Sequence, residues 1–262
     1  MEEEKGMLSR LILELDTQEK IDYRKSSIFQ SILLNKTNEE YAIKMHEMNL
    51  RPYSQYVFYD VKKEKAYWNI MTTSEEAYEN LIVPIENDEF SDFTIEHDKL
   101  EIHIANKRLE TIPLNTVFKD FYTKTAENYI RIKFVTPTAF KQNGRYIFYP
   151  DLRLIYQSLM KKCSAVSDKI DFMDDDTLEQ LVQYSEIIRY TLRSTKFPMS
   201  SVNIPAFVGE IQIKIHGPAL LKNFIYLLMT MGEYLGVGIK SAMGMGAIQI
   251  INRRDEHDRT GN

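Results

Sequence analysis

The chain has 262 residues, of which 44% are hydrophobic and 27% are charged. This composition is that of an ordinary globular protein and excludes a disordered or low-complexity chain. No apolar run is long enough to span a membrane, and the acidic start MEEEKG lacks the basic and apolar pattern of a secretory signal. A single cysteine, Cys163, excludes an internal disulfide. We therefore expect a cytoplasmic protein of about two domains.

The charge is unevenly distributed along the chain. The net charge is −5, and segment 86–101 alone contributes −6. Segments 128–153 and 187–222 instead each carry five lysines or arginines against one carboxylate, a net charge of +4. Such segregation allows an acidic protein to bind a polyanion. The alternative is that these charges only solvate the surfaces of helices and strands.

The first half of the sequence predicts an alternation of strands and helices. Leucines at every second position from Leu11 to Leu15 indicate a first strand. Two capping boxes, Thr37–Glu40 and Thr73–Glu76, predict helices that run to about residues 48 and 81. The remaining predicted elements are a helix at 26–35, a hairpin of strands at 53–61 and 66–71, and strand structure at 93–104. The order is β-α-β-β-α-β.

The second half predicts the same order with one extra helix. A first strand alternates apolar residues with the cations Arg131 and Lys133, and a second strand carries Arg189 and Arg193 on one face. A third strand follows around Ile211–Ile215. The predicted helices lie at about 151–163, 177–187 and 218–234, and a last strand lies at 247–251. The middle helix is the extra one.

This order of elements is that of the ferredoxin-like unit. We therefore predict an α+β fold of two tandem ferredoxin-like βαββαβ units with a C-terminal glycine-rich loop. The boundary is expected within 106–127, which divides the chain into domains 1–115 and 116–262. RNA-recognition modules share this topology and present stacking and basic groups on open sheets, but the fold alone does not establish function.

The glycine-rich loop is the segment GVGIKSAMGMG, residues 236–246. Glycines at this density indicate positive φ angles or the close approach of a ligand to bare backbone. Lys240 and Ser241 at its centre offer a cation and a hydroxyl, and exposed amides can bind an anion. The spacing matches neither the dinucleotide-binding fingerprint nor the Walker loop. A tight helix-to-strand crossover remains the alternative. The loop glycines are Gly236, Gly238, Gly244 and Gly246.

Three segments carry a resemblance to a known family. LGVGIKSAMGMG resembles the C-terminal glycine-rich signature of the RAMP superfamily of CRISPR-associated proteins. FVTPTAF (134–140) with PDLRLIYQSLMKK (150–162) is similar to the C-terminal half of the CRISPR repeat-processing endoribonucleases, and EEYAIKMHEMNLRPYS (39–54) resembles their N-terminal segment. The loop is shared by the whole superfamily, whereas its combination with the other two segments is more specific.

This resemblance implies an endoribonuclease that cuts precursor CRISPR RNA once per repeat without metal or cofactor. The ribose 2′-hydroxyl attacks the adjacent phosphate and leaves a cyclic phosphate and a 5′-hydroxyl. His46 matches the family's catalytic histidine, and imidazole can serve as acid or base near neutral pH. Arg51 stands where the family often carries a lysine and can stabilise a phosphorane. Tyr41 is a substitute for a tyrosine that some members carry, as is Tyr53.

The basic residues are candidates for gripping the repeat RNA, because phosphate contacts position RNA while aromatic side chains stack on its bases. The RNA-binding candidates are Arg131, Lys133, Lys141, Arg145, Arg189, Arg193 and the glycine-rich loop. Tyr146, Phe148 and Tyr149 are stacking candidates, with strand packing as the alternative. The resemblance leaves open a homodimer, a transient association with a CRISPR effector complex, and a non-catalytic RAMP subunit that only binds RNA.

Overall fold

The computed structural model describes residues 6–124, 126–166, 171–199 and 201–251. The first half forms a five-stranded antiparallel sheet in the order β2-β3-β1-β5-β4. The order β2-β3-β1-β5 is that of a ferredoxin-like sheet, and β4 adds an edge strand. The strands are β1 (Met7–Asp16), β2 (Tyr53–Asp60), β3 (Lys65–Thr72), β4 (Asp92–Ile95) and β5 (Leu100–Pro113).

Helices cover one face of this sheet. α1 (Ser26–Asn35) and α2 (Glu39–Glu47) lie between β1 and β2. Between β3 and β4, α3 (Glu75–Ala77) continues through a π-helical turn, Tyr78–Ile82, into α4 (Val83–Glu86). Alternate residues of the strands, with apolar residues of these helices, form the first core, which includes Leu11, Leu13, Phe29, Leu33, Met45, Val57 and Trp68. The helices and the sheet thus bury a common apolar layer.

The second half forms a four-stranded antiparallel sheet in the order β11-β6-β10-β9, again ferredoxin-like. Its strands are β6 (Tyr129–Thr138), β9 (Ser185–Pro198), β10 (Asn203–Ile215) and β11 (Ile248–Ile250), and β7 (Phe140–Gln142) and β8 (Arg145–Ile147) form a separate hairpin. The helices are α6 (Leu152–Val166), α7 (Asp175–Gln183) and α8 (Ala219–Leu235). The predicted fold class is confirmed by this double arrangement.

The two halves share part of their cores. Leu8, Tyr56 and Met71 project from the first sheet into the second core, which is built mainly from β6, β10, α6 and α8. Ser54 Oγ also donates a hydrogen bond to the Tyr234 carbonyl at 2.5 Å. α5 (Leu114–Thr123) follows β5 directly and contributes Leu114 and Val117 to the second core. The proposed division after residue 115 falls within α5 and stays a proposal.

In both predicted capping boxes the residue that caps the helix is one position later than predicted. Asn38 caps α2, with its side-chain oxygen accepting from the amides of Glu40 and Tyr41, whereas Thr37 Oγ1 donates back to the Leu33 carbonyl. Ser74 caps α3 by accepting from the Ala77 amide. Asparagine and serine are strong caps, and threonine finds a backbone partner in the preceding helix.

Several element boundaries also differ from the prediction, among them the helix expected to end near residue 81, which continues to Glu86. The strand structure expected at 93–104 is a hairpin of β4 and β5, because Lys99 adopts a φ of 51° at the turn. The helix expected at 177–187 ends at Gln183, and Ile187 lies in β9. Within the described ranges, no helix has the length and apolarity that a bilayer crossing needs.

Candidate RNA-cleavage site and RNA-binding surface

Two candidate catalytic residues lie near the C-terminal end of α2. His46 is exposed in the last turn of this helix. Arg51 lies beyond the helix end and donates a hydrogen bond from Nε to the Met45 carbonyl at 2.6 Å. This bond satisfies a carbonyl that the helix leaves free at its end, and it holds the half-buried guanidinium beside the residue that precedes His46.

The structure does not place Tyr41 with His46. Tyr41 lies five residues earlier on α2, about 140° around the helix axis from His46. Its ring is 4% exposed in the first core, and among the described residues its hydroxyl has no hydrogen-bond partner. Burial raises the pKa of the Tyr41 phenol well above its ordinary value. This burial argues against a catalytic role for Tyr41, which stays a prediction, because a buried phenol does not face the solvent from which an RNA strand would approach.

Tyr53 is also unsuited to proton transfer. Its side chain is fully buried, and its hydroxyl accepts a hydrogen bond from Gln30 Nε2 at 3.1 Å. Burial raises the pKa of this phenol, although Gln30 and the nearby Arg51 guanidinium oppose the shift. Both tyrosines thus pack the core beneath α1 and α2 instead of facing solvent.

One face of the second sheet is basic, as the alternation predicted. The register pairs Lys133 with Glu210 and Arg131 and Arg189 with Gln212, which puts these side chains on one face, while Ile132 and Ile211 point to the helices. Arg189 and Arg193 are exposed at the β9 edge. Arg131 is half-buried and donates to Glu210 Oε2 at 3.0 Å, so this carboxylate offsets part of the positive charge.

The hairpin of β7 and β8 carries a second group of cations. Lys141 and Arg145 are exposed, and the Lys141 ammonium lies 5.9 Å from the centre of the Tyr146 ring. Downstream of β8, Phe148 and Tyr149 are 45% and 59% exposed. These two rings are therefore free of the strand packing that was their alternative interpretation, and an exposed aromatic surface can stack on unpaired bases.

The glycine-rich loop forms a tight crossover from α8 to β11. All four loop glycines have positive φ angles, which confirms that prediction, and Lys240 adds a left-handed residue with a φ of 57°. The close approaches are to the protein itself. A Cβ on Gly238 would lie 2.3 Å from the Ala139 carbonyl oxygen, and one on Gly244 would lie 2.2 Å from Ser26 Cβ. Lys240 remains exposed, whereas Ser241 is half-buried.

Two buried polar residues that the sequence analysis did not identify hold this loop. Lys162 of α6 donates to the Leu235 carbonyl, the Gly236 carbonyl and Ser241 Oγ at 3.0–3.1 Å. Gln55 of β2 donates from Nε2 to the carbonyls of Ser26 and Ala242. A signal existed for both, since Lys162 falls beside the apolar stripe of its helix and Gln55 falls between Tyr53 and Val57 on the core face of its strand.

Among the described residues, no group of three or more His, Cys, Asp or Glu side chains is placed to hold a metal ion. His97 pairs with Asp98 and His216 with Glu186, each at the surface and each with a single carboxylate. His46 has no such partner in the described part of the chain. His97 and His216 thus each contact a carboxylate, whereas the imidazole of His46 contacts none in the ranges that the structure describes.

Two ferredoxin-like halves, a basic sheet face and a glycine-rich crossover define an α+β protein with a double ferredoxin-like fold. Residues 132–248 match the family model described as CRISPR-associated endoribonuclease Cas6. A Cas6 endoribonuclease of Mycobacterium tuberculosis is 30% identical over 247 residues, covering 93% of this chain and 78% of that protein. The Streptococcus thermophilus Cas6 is 28% identical over 227 residues, covering 87% and 91%. The chain belongs to the Cas6 family.

A solved structure shows the same architecture. A Cas6 product complex superposes with a TM-score of 0.76 over 94% of this chain and all of that chain, at 16% sequence identity. At this identity the similarity establishes the fold alone. The double ferredoxin-like arrangement is therefore that of solved Cas6 proteins.

Proposed function

We propose that this protein binds the repeat of precursor CRISPR RNA and cuts it once per repeat without a metal ion. The ribose 2′-oxygen loses its proton and forms a bond to the adjacent phosphorus, and the bond from phosphorus to the 5′-oxygen breaks. The departing 5′-oxygen takes up a proton. The products are a 2′,3′-cyclic phosphate and a 5′-hydroxyl, and the matured guide RNA passes to an effector complex.

The observation that carries this proposal is the end of α2, where His46 is exposed in the last turn and Arg51 binds the carbonyl of Met45, the residue before His46. An exposed imidazole handles one of the two proton transfers, a step typically worth about 10²–10⁴-fold in rate. We assign the other proton transfer to a water molecule, since the two candidate tyrosines, Tyr41 and Tyr53, are buried. The Arg51 guanidinium keeps further N–H groups besides the Nε that binds the Met45 carbonyl, and it stabilises the charge that develops on the phosphorane.

We assign the binding of RNA phosphates to the basic surfaces. Arg189 and Arg193 at the β9 edge, with Lys141 and Arg145 on the hairpin, contact phosphates, and Lys240 adds a cation from the glycine-rich loop. Arg131 and Lys133 extend the same sheet face. Phosphate contacts of this kind position the strand, while unpaired bases that stack on exposed rings provide selectivity. A cytoplasmic site of action belongs to the same proposal.

The test uses a synthetic repeat RNA incubated with the protein in EDTA, with analysis of both product ends. We expect cleavage at one position and a cyclic or 3′-phosphate upstream of a 5′-hydroxyl. A matched RNA with a 2′-deoxyribose at the cut position should bind equally well and remain intact. Cleavage that EDTA abolishes, or cleavage of the 2′-deoxy RNA, would contradict the mechanism.

A further inference from the structure

Lys162 is a buried cation whose hydrogen bonds all lead to one segment. Its ammonium has three N–H donors, and the three acceptors are the Leu235 carbonyl at 3.1 Å, the Gly236 carbonyl at 3.0 Å and Ser241 Oγ at 3.0 Å. Within the described ranges no carboxylate pairs with it. Burial of the ammonium lowers the pKa of Lys162 to about 7. A buried lysine without a counter-ion is costly, and here three hydrogen bonds to one segment offset that cost.

The end of α8 explains why a cation fits at this place. α8 has 17 residues and ends at Leu235, where Gly236 turns the backbone away with a φ of 66°. The carbonyls at the end of a helix lack partners within it and carry the negative end of its dipole. Lys162 satisfies two of these carbonyls and also reaches Ser241, five residues further along the loop. One side chain therefore joins the beginning of the loop to its centre.

A neighbouring residue on the same helix reinforces this attachment. Ser158 lies one turn before Lys162 on α6, and its Oγ accepts a hydrogen bond from the Gly238 amide at 2.8 Å. On the opposite side, Gln55 binds the Ala242 carbonyl at 3.0 Å and the Ser26 carbonyl at 2.9 Å. The loop is thus held between α6 of the second half and α1 with β2 of the first half, and Lys240 lies on its exposed side.

We propose that Lys162 is a positioning residue, which holds the glycine-rich loop in the conformation that presents Lys240 to repeat RNA. This inference rests on the proposed function, because it assumes that the loop contacts the RNA. Lys162 itself is shielded from RNA by the loop that it supports. Its effect should therefore fall on the affinity for RNA, while the chemical step at His46 proceeds once the RNA is bound.

The experiment compares wild type with Lys162→Met, which keeps much of the side-chain length and removes the ammonium. Lys161→Met is the matched control, because Lys161 is the adjacent lysine on α6 and is exposed. We expect the Kd of Lys162→Met for repeat RNA to be at least tenfold higher than that of wild type. Its single-turnover cleavage rate at saturating RNA should lie within threefold of the wild-type rate. The control should change neither quantity by more than twofold.

Hydrogen exchange of the free proteins tests the same inference without RNA. Lys162→Met should increase the exchange rate of loop amides such as Gly238 and Met245 by tenfold or more and leave the amides of β10 unchanged. If Lys162→Met fails to fold, Ser241→Ala replaces it in this experiment. Ser241→Ala removes one of the three acceptors of Lys162 and should increase the exchange rate of the same amides. Faster exchange throughout the second half would indicate a general packing role and would overturn the inference.

The outcomes separate this inference from the proposed function. If wild type cuts repeat RNA while Lys162→Met folds and binds RNA as tightly as wild type, the positioning role of Lys162 is wrong and the proposed function stands. If wild type neither binds nor cuts repeat RNA, the proposed function fails and this inference fails with it. Normal affinity with a saturating rate reduced tenfold would also overturn the inference, since it would place the effect at the chemical step.

Discussion

Gly244 is the position where an added methyl group should disrupt the contact between the loop and the first half of the chain. A Cβ on Gly244 would lie 2.2 Å from Ser26 Cβ and 2.7 Å from Ser26 Oγ. Ser26 cannot withdraw easily, because it is fully buried and its Oγ accepts a hydrogen bond from the Val57 amide at 3.0 Å. Gly244→Ala must therefore displace the loop from the start of α1.

The magnitude follows from two separate costs. The φ of Gly244 is +105°, where a side chain is strained, and a left-handed conformation costs an ordinary residue about 1–2 kcal/mol. Overpacking of a buried contact costs about 1–3 kcal/mol more. Gly144 supplies the matched control, since its φ is +78° and a Cβ there would meet nothing within 4 Å. Gly144→Ala should therefore cost only the backbone contribution.

The assay is urea unfolding of wild type, Gly144→Ala and Gly244→Ala, followed by circular dichroism. We expect the free energy of unfolding to fall by about 1–2 kcal/mol for Gly144→Ala and by about 2–5 kcal/mol for Gly244→Ala. If Gly244→Ala is no less stable than Gly144→Ala, the loop does not press against Ser26. In that case the reasoning about the loop as a link between the two halves is wrong.

Three further predictions concern single side chains. Lys162, whose pKa burial lowers to about 7, binds a proton more weakly in the folded than in the unfolded chain. The free energy of unfolding of wild type, measured relative to that of Lys162→Met, should therefore rise between about pH 7 and 10, by at most about 1.4 kcal/mol per pH unit. A difference that does not change with pH in urea titrations would refute this. Lys240→Ala should reduce the slope of log Kd against log salt for repeat RNA by about 1, and an unchanged slope would exclude a phosphate contact. Tyr41→Phe should leave the cleavage rate unchanged. It should keep or slightly raise the melting temperature, because the lost hydroxyl has no hydrogen-bond partner among the described residues. Cleavage that is tenfold slower would indicate a catalytic role for Tyr41.

The sequence predicted the architecture well because both halves combine clear strand alternation with recognisable helix signals. The basic face of the second sheet followed from a two-residue period at Arg131 and Lys133, which the structure confirms. The cap positions were harder to predict, because Thr37 and Asn38 are both good caps and only the geometry of the preceding turn selects between them.

The contacts of the glycine-rich loop lay beyond sequence reasoning. Gln55 and Ala242 are 187 positions apart, and Lys162 and Ser241 are 79 apart. No local pattern reports such pairings, because they depend on how the two halves pack together. Tyr41 is a different case, because it lies one helical turn before Met45 on the buried face of α2. That local pattern indicates its burial, whereas its spacing from His46 alone does not.

The most direct measurement is single-turnover cleavage of a synthetic repeat RNA by His46→Ala in EDTA, alongside an equilibrium binding titration. His103→Ala is the matched control, because this histidine is also exposed but lies on β5 outside the proposed site. We expect His46→Ala to cut at least 100-fold more slowly, at the low end of what one acid or base contributes, with its Kd within threefold of wild type. Cleavage by His46→Ala at the wild-type rate would contradict the assignment of the reaction to this imidazole.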